Sequence, residues 1–128
     1  MTNPVGRFEI YVTDMNRAKT FYEQVLQKGS WIDLSGVGEG NQDMQMFAFP
    51  WDNEGIGAAG ALVKMKGYTP SNFGTIVYFS CDDCSVEESR VETNGGKVCK
   101  SKTTIGEFGF ISIIQDTEGN TIGLHSMK

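Results

Sequence analysis

Histidine occurs once in this chain, cysteine three times and proline three times, and no apolar run approaches the roughly 18 residues of a membrane span. Each scarcity closes off a class of chemistry. Three cysteines, Cys81, Cys84 and Cys99, are an odd number and too few for a disulfide framework, which agrees with a reducing compartment. With His125 as the lone histidine and no serine in an elbow motif, no nucleophilic triad can be assembled. The segment Gly36-Val37-Gly38-Glu39-Gly40 lacks the lysine and following helix of a phosphate loop, and reads as a hairpin connection. Lysine and arginine are outnumbered 11 to 16 by aspartate and glutamate and are scattered, so nothing forms an electrostatic footprint for nucleic acid. The net charge of -5 favours a cationic small molecule over an anionic one and serves solubility equally. The start MTNPVGRFEI has no basic opening, apolar run or cleavage site, so the expectation is a cytoplasmic protein without a secretory signal.

What is present reads as one domain over residues 1–128, long enough to bury a core without staples. Residues 6–13 alternate, with Phe8, Ile10 and Val12 on one face and Arg7, Glu9 and Tyr11 on the other, which predicts a half-buried strand. Asp14 stands where an N-cap is expected, and Ala18, Phe21, Tyr22 and Val25 recur at helical spacing up to a stop near Gln27 to Gly29. Strands are expected at 30–34, 44–49 and 57–64, between Gly, Asn and Asp clusters. After the turn-rich segment at 67–74 the order begins again: strand 75–81, cap Asp83, helix 86–93, the stop Asn94-Gly95-Gly96, then strands at 97–100, 108–114 and 120–126.

Laying Asp14 on Asp83 makes an internal duplication visible, with Phe8, Ile10, Val12 and Tyr22 falling on Val77, Phe79, Cys81 and Val91 at an offset of 69 residues. The fold class is therefore α+β, with two tandem βαβββ modules, 5–65 and 74–126, whose curved mixed sheets surround a groove. A helix covers one face of each sheet, so the other face needs a partner, within the chain or across a dimer. Arg7, Glu9 and Tyr11 then line the groove.

The runs FEIYVTDMNRAKTFYEQVL, VYFSCDDCSVEESRVETNGGKV and QDTEGNTIGL together resemble the glyoxalase/bleomycin resistance/dioxygenase (vicinal oxygen chelate) superfamily: its opening strand with Asp cap and Phe-Tyr helix, its second-module strand with Gly-Gly stop, and its Asp-x-x-Gly-Asn turn. The resemblance spans most of the chain and implies the fold. Activities within that superfamily range over lyases, epimerases, dioxygenases and drug-binding resistance proteins, and fold does not choose among them. In its metal-using members four groove-facing positions supply His, Glu or Gln ligands, and by the resemblance these fall on Arg7, Ile76, Ala61 and Gly123. None of the four side chains can ligate a metal, so the resemblance is to a member without the metal and no cofactor is expected. A relocated centre built on Glu9 and His125 supplies at most half a site.

Among the remaining candidates, Glu9 on an inward strand face is a possible general base if burial raises its pKa; a salt bridge to Arg7 or a hydrogen bond is the competing role. Tyr11 and His125 are candidate polarising or acid-base groups, with His125 near a terminus equally suited to a surface or dimer edge. Arg7, Phe49, Trp51 and Tyr78 are candidate ligand contacts, since the stretch Met44 to Trp51 is rich in soft and aromatic side chains that suit either a groove or a core. Cys81 and Cys84 spell C-x-x-C, but the strand phase makes the first a core residue and the second the opening of a helix. Two functions follow: a metal-free homodimer that binds or sequesters a small organic ligand, or a cofactor-free lyase or isomerase with Glu9 as base.

Overall fold

The computed structural model describes residues 3–36 and 43–128; most of the predicted glycine hairpin lies outside them. Module one contains β1 (Arg7–Tyr11), α1 (Met15–Leu26), β2 (Ile32–Asp33), β3 (Gln45–Ala48) and β4 (Ala59–Lys64). Module two contains β5 (Tyr78–Ser80), α2 (Cys84–Glu88), a 3-10 turn at Glu92–Asn94, β6 (Lys97–Thr104), a second 3-10 turn at Gly106–Phe108, β7 (Phe110–Gln115) and β8 (Thr121–Ser126). The sheets have orders β1-β4-β3-β2 and β5-β8-β7-β6, each opening with a parallel pair and continuing antiparallel. Their registers are equivalent: Glu9 stands beside Ala61, and Tyr78, 69 residues after Glu9, stands beside Gly123.

Both predicted caps form. The Asp14 carboxylate accepts from the Arg17 amide, and the Asp83 carboxylate from the Ser85 amide, each satisfying an otherwise unpaired N–H of a first turn. Helix α1 buries Met15, Ala18, Phe21, Tyr22 and Val25, the predicted stripe, and ends at Gln27 in the left-handed region. The second helix departs from the predicted 86–93: it starts two residues earlier, ends at Glu88, and resumes as the 3-10 turn. Ser89 Oγ donates to the Val86 carbonyl and Thr93 Oγ1 to that of Arg90, so hydroxyls compete for the carbonyls a continuous helix needs. Strand β5 is shorter than the predicted 75–81, whereas β6 runs past Lys100 to Thr104 through two register shifts against β7.

One core serves both modules. Phe8, Phe49 and Tyr22 from module one meet Phe79 of module two at centroid separations of 5.8, 5.6 and 5.9 Å, on the helix side of the sheets. Tyr22 and Phe49 are buried and Phe8 and Phe79 half-buried, and since fully burying a side chain of this size contributes roughly 1.5–3 kcal/mol, the four rings are a principal tie between the halves. Two polar clasps reinforce it. The Arg90 guanidinium donates twice to the Val25 carbonyl, at 3.0 and 2.8 Å, satisfying the C-terminal end of α1. At the other end Glu118, on the β7–β8 turn, accepts from the Thr13 and Asp14 amides at 2.8 Å each and from Arg17 at 2.7 and 2.9 Å. Burial pushes the Glu118 carboxyl upward, but Arg17, the two amides and Thr117 outweigh it and hold its pKa at about 2. Beneath this turn the Tyr22 hydroxyl donates to Asp116 at 2.6 Å, and burial raises the pKa of both groups.

Candidate functional site

Strand parity divides each sheet cleanly. On the groove face of module one β1 contributes Arg7, Glu9 and Tyr11, and β4 contributes Ala59, Ala61 and Val63 in register. Met46 and Ala48 of β3 extend this face, opposite Val63 and Ala61. Met44, Ala48, Ala61 and Val63 are buried here, packed by Tyr11, Ile32, Leu34, Met46 and Met65 in a second small core. The chain that leaves β4 folds back, with Met65 bridging Tyr68 and the Tyr68 ring stacked on Tyr11 at 5.0 Å.

The groove face of module two carries Tyr78 and Ser80 on β5, Thr121, Gly123 and His125 on β8, and Ile111 and Ile113 on β7. The Tyr78 ring lies flat on Gly123: a Cβ there would stand 2.2 Å from the ring, so only glycine admits it. With 44% of its surface exposed, Tyr78 covers the backbone beneath it and leaves its outer side bare. The same device occurs on the helix side of module one, where Phe8 lies on Gly60; that ring is covered in turn by Phe49 and Phe79.

Between the modules a cavity of about 220 Å³ opens along the seam, walled by Glu9 and Tyr11 of β1, by Thr69, Ser71 and Phe73 of the inter-module strap, and by Thr75, Val77, Asn120 and Thr121 at the starts of β5 and β8. The strap is pinned by the Ser71 amide donating to Asn120 Oδ1 at 2.9 Å and by Thr121 Oγ1 donating to the Asn72 carbonyl at 3.0 Å. Asn120 also donates to the Tyr11 carbonyl at 2.8 Å, so one buried amide joins β1, the strap and β8. A larger depression of about 780 Å³ runs beside Asp14 to Arg17, Gln45, Phe47 and Lys64. It lies on the helix side of β3; the seam cavity is smaller and also open to solvent, and it is the one that Glu9 and Tyr11 wall.

Glu9 is the electrostatic centre of that cavity. Its Oε2 accepts from Arg7 Nη1 at 2.6 Å and its Oε1 from the Tyr11 hydroxyl at 2.8 Å. Burial pushes the carboxyl upward, but the bonds from Arg7 and Tyr11 and the Arg7 charge win, and its pKa is lowered. The raised pKa that a general base would need is therefore not produced; the salt bridge that the spacing allowed is formed instead. Tyr11 moves the other way: burial, then its bond to Glu9 and that carboxylate's charge, raise its pKa to about 12, so it remains a hydrogen-bond donor.

The other expected site residues are dispersed. Phe49 is buried in the helix-side core against Trp31, Tyr22 and Phe79, because its parity opposes that of Ala48. Trp51 is exposed in the β3–β4 connection and lines neither depression. His125 shares the face of Gly123, and its Nε2 donates to the Phe108 carbonyl at 2.7 Å, which ties it to the β6–β7 connection rather than to Glu9. Cys84 is buried at the start of α2, and burial, followed by the Glu87 charge, pushes the Cys81 thiol up to about 12, which disfavours its thiolate. No sequence motif marks the strap residues Thr69, Ser71 and Phe73 as cavity walls; the Asp-x-x-Gly-Asn motif that supplies Asn120 is the signal for where the strap docks.

The model of the Glyoxalase/Bleomycin resistance protein/Dioxygenase superfamily matches residues 5–124. The chain belongs to this superfamily. Among solved structures it is similar to a variant of glyoxalase I from Zea mays, with 18% identity and a TM-score of 0.74 over 98% of this chain and 47% of that one. It is also similar to a variant of the fosfomycin resistance protein FosX from Listeria monocytogenes complexed with Mn(II) and 1S,2S-dihydroxypropylphosphonic acid, with 14% identity and a TM-score of 0.71 over 100% and 95% of the two chains. A glyoxalase/bleomycin resistance protein from Streptomyces sp. CB03234 is 24% identical, with a TM-score of 0.63 over 94% and 98%. At these identities the likeness is one of fold. No curated protein matches the sequence.

At the four positions that the resemblance assigns to metal ligands the residues do not fit a divalent metal: Arg7, Ile76, Ala61 and Gly123 carry no ligating side-chain atom, and the space above Gly123 is taken by the Tyr78 ring. Among the described residues no group of three or more His, Cys, Asp or Glu side chains is placed to hold an ion.

Proposed function

We propose that this superfamily member binds or sequesters a small organic molecule without a metal, as a cytoplasmic homodimer. The observation that carries the reading is the pairing of a ligand set without donors, sealed at Gly123 by Tyr78, with a seam cavity that retains charged, hydroxyl and aromatic groups. Superfamily members bind small ligands and often dimerise. A second copy supplies the natural cover for the half-exposed groove face around Tyr78 and Ile76, and the free cysteine Cys99 on the surface suits a reducing compartment. No helix among the described residues is long and apolar enough to cross a membrane. The lyase or isomerase alternative needs Glu9 to take up a proton near neutral pH, and its bonds to Arg7 and Tyr11 oppose that.

The test is a thermal-shift series on native protein with zinc, nickel, manganese and iron(II), beside a library of small organic molecules and elemental analysis. Stabilisation by organic compounds and none by the ions is the expected result. Stoichiometric metal, or a shift of several degrees at micromolar ion, would overturn the reading. Sedimentation at micromolar protein checks the dimer.

A further inference from the structure

Among the described residues that wall the seam cavity, Glu9 is the only acidic or basic one. Arg7, which neutralises it, is not part of the wall, and its side chain is 53% exposed. The guanidinium lies on the groove face outside the wall, with Nη1 2.6 Å from Glu9 Oε2 and Nη2 3.5 Å from Met46 Sδ, in a partly exposed pair of the kind that contributes little to stability. It can be exchanged for another cation at little cost. The rest of the wall is neutral: the rings of Tyr11 and Phe73, the aliphatic Val77 and Ile122, and the hydroxyls of Thr69 and Thr75.

A carboxylate beside aromatic residues and hydroxyls, in a recess between the modules, is complementary to an organic cation. The Coulomb attraction strengthens as water leaves, ring faces attract positive charge, and hydroxyl oxygens accept from an ammonium N–H. An anion meets the carboxylate, and among the described residues no cation stands in the wall to offset it. At about 220 Å³ the cavity falls below the roughly 300 Å³ at the small end of pockets for drug-sized ligands. We propose that the seam cavity binds a small ammonium-bearing organic cation, whose ammonium replaces the Arg7 guanidinium at Glu9. This rests on the reading that the protein binds a small molecule without a metal.

The experiment is a titration of isotopically labelled protein followed by amide NMR, with benzylamine, benzyl alcohol and benzoate as probes of one ring and three charges. Benzylamine is expected to move the amides of Glu9, Thr69, Thr75 and Thr121 and to bind at least about tenfold more tightly than benzyl alcohol, with benzoate weakest. Arg7→Gln removes the internal competitor and should tighten benzylamine binding, the opposite of what a merely structural Arg7 predicts. Glu9→Gln, nearly isosteric, should erase the advantage of benzylamine over benzyl alcohol. Equal or tighter benzoate binding, an advantage that survives Glu9→Gln, weaker binding in Arg7→Gln, or no movement of the cavity amides would each overturn the proposal. Cavity shifts from benzyl alcohol or benzoate equal to those from benzylamine would overturn the charge class alone and leave small-molecule binding standing.

Discussion

Module one buries both faces of its sheet, whereas module two buries one and leaves the other half open. On the helix side of module one, α1 lays five buried residues over the strands, and on its groove side Met44, Ala48, Ala61 and Val63 are sealed by soft neighbours and by Tyr68 folded over Tyr11. Module two covers its helix side with a five-residue helix that buries only Cys84, helped by Val91, and its groove side shows Ile76 and Tyr78 to solvent. The strand registers are equivalent, so duplication preserved the backbone while the two halves diverged in what covers it. Buried side chains are concentrated in the first half and the core between the halves; the second half retains exposed surface.

The largest difference between the modules is expected at the helices. Phe21→Ala in α1 should cost about 3–5 kcal/mol, whereas Val86→Ala on the exposed side of α2 should stay within about 0.5 kcal/mol, both read from urea unfolding midpoints. Similar costs would mean that α2 contributes to the core as much as α1 does.

Next in size is the Glu118 clasp, which ties the β7–β8 turn of module two to the first turn of α1. Its folded pKa of about 2 lies below the usual carboxylate value, so its contribution is present above about pH 4.5 and disappears as the pH falls toward 2. Glu118→Gln should lose about 2–3 kcal/mol at neutral pH and flatten the acid limb of the stability curve. Asp116, whose pKa burial raises, acts with the opposite sign, so a wild-type acid limb shallower than that of Asp116→Asn is the expected companion result.

The two aromatic-over-glycine pairs sharpen the contrast at smaller scale. Gly60→Ala forces Phe8 against Phe49 and Phe79 and should cost about 1–3 kcal/mol. Gly123→Ala displaces Tyr78, which has open space on its outer side, and should cost less; a cost equal to that of Gly60→Ala would mean that Tyr78 is held by a cover such as a second subunit. Smallest of all, Arg7→Gln should leave stability within about 0.5 kcal/mol, as expected for an exposed ion pair.

Much of this architecture is legible in the residues. The alternation in β1 assigns Phe8, Ile10 and Val12 to the core and Glu9 and Tyr11 to the groove, and Asp14 and Asp83 mark both helix starts. The 69-residue offset aligns the two parallel strand pairs. Less was legible where short polar segments decide. The early end of α2 depends on hydroxyls competing for carbonyls, and the core position of Phe49 depends on a strand phase that its mixed neighbours leave ambiguous.

Local periodicity and turn chemistry act over a few residues, and they sufficed to determine the two βαβββ modules and the polar face that carries Glu9. Which groups meet across the seam was decided only by the tertiary structure. The strap walls the cavity through Asn120, Arg7 neutralises Glu9, and Tyr78 comes to rest on Gly123, because sheet pairing and a shared core bring together segments far apart in the chain. The sign of the Glu9 shift follows from that assembly: its charge environment is set by neighbours in space, and burial alone would have moved its pKa the other way.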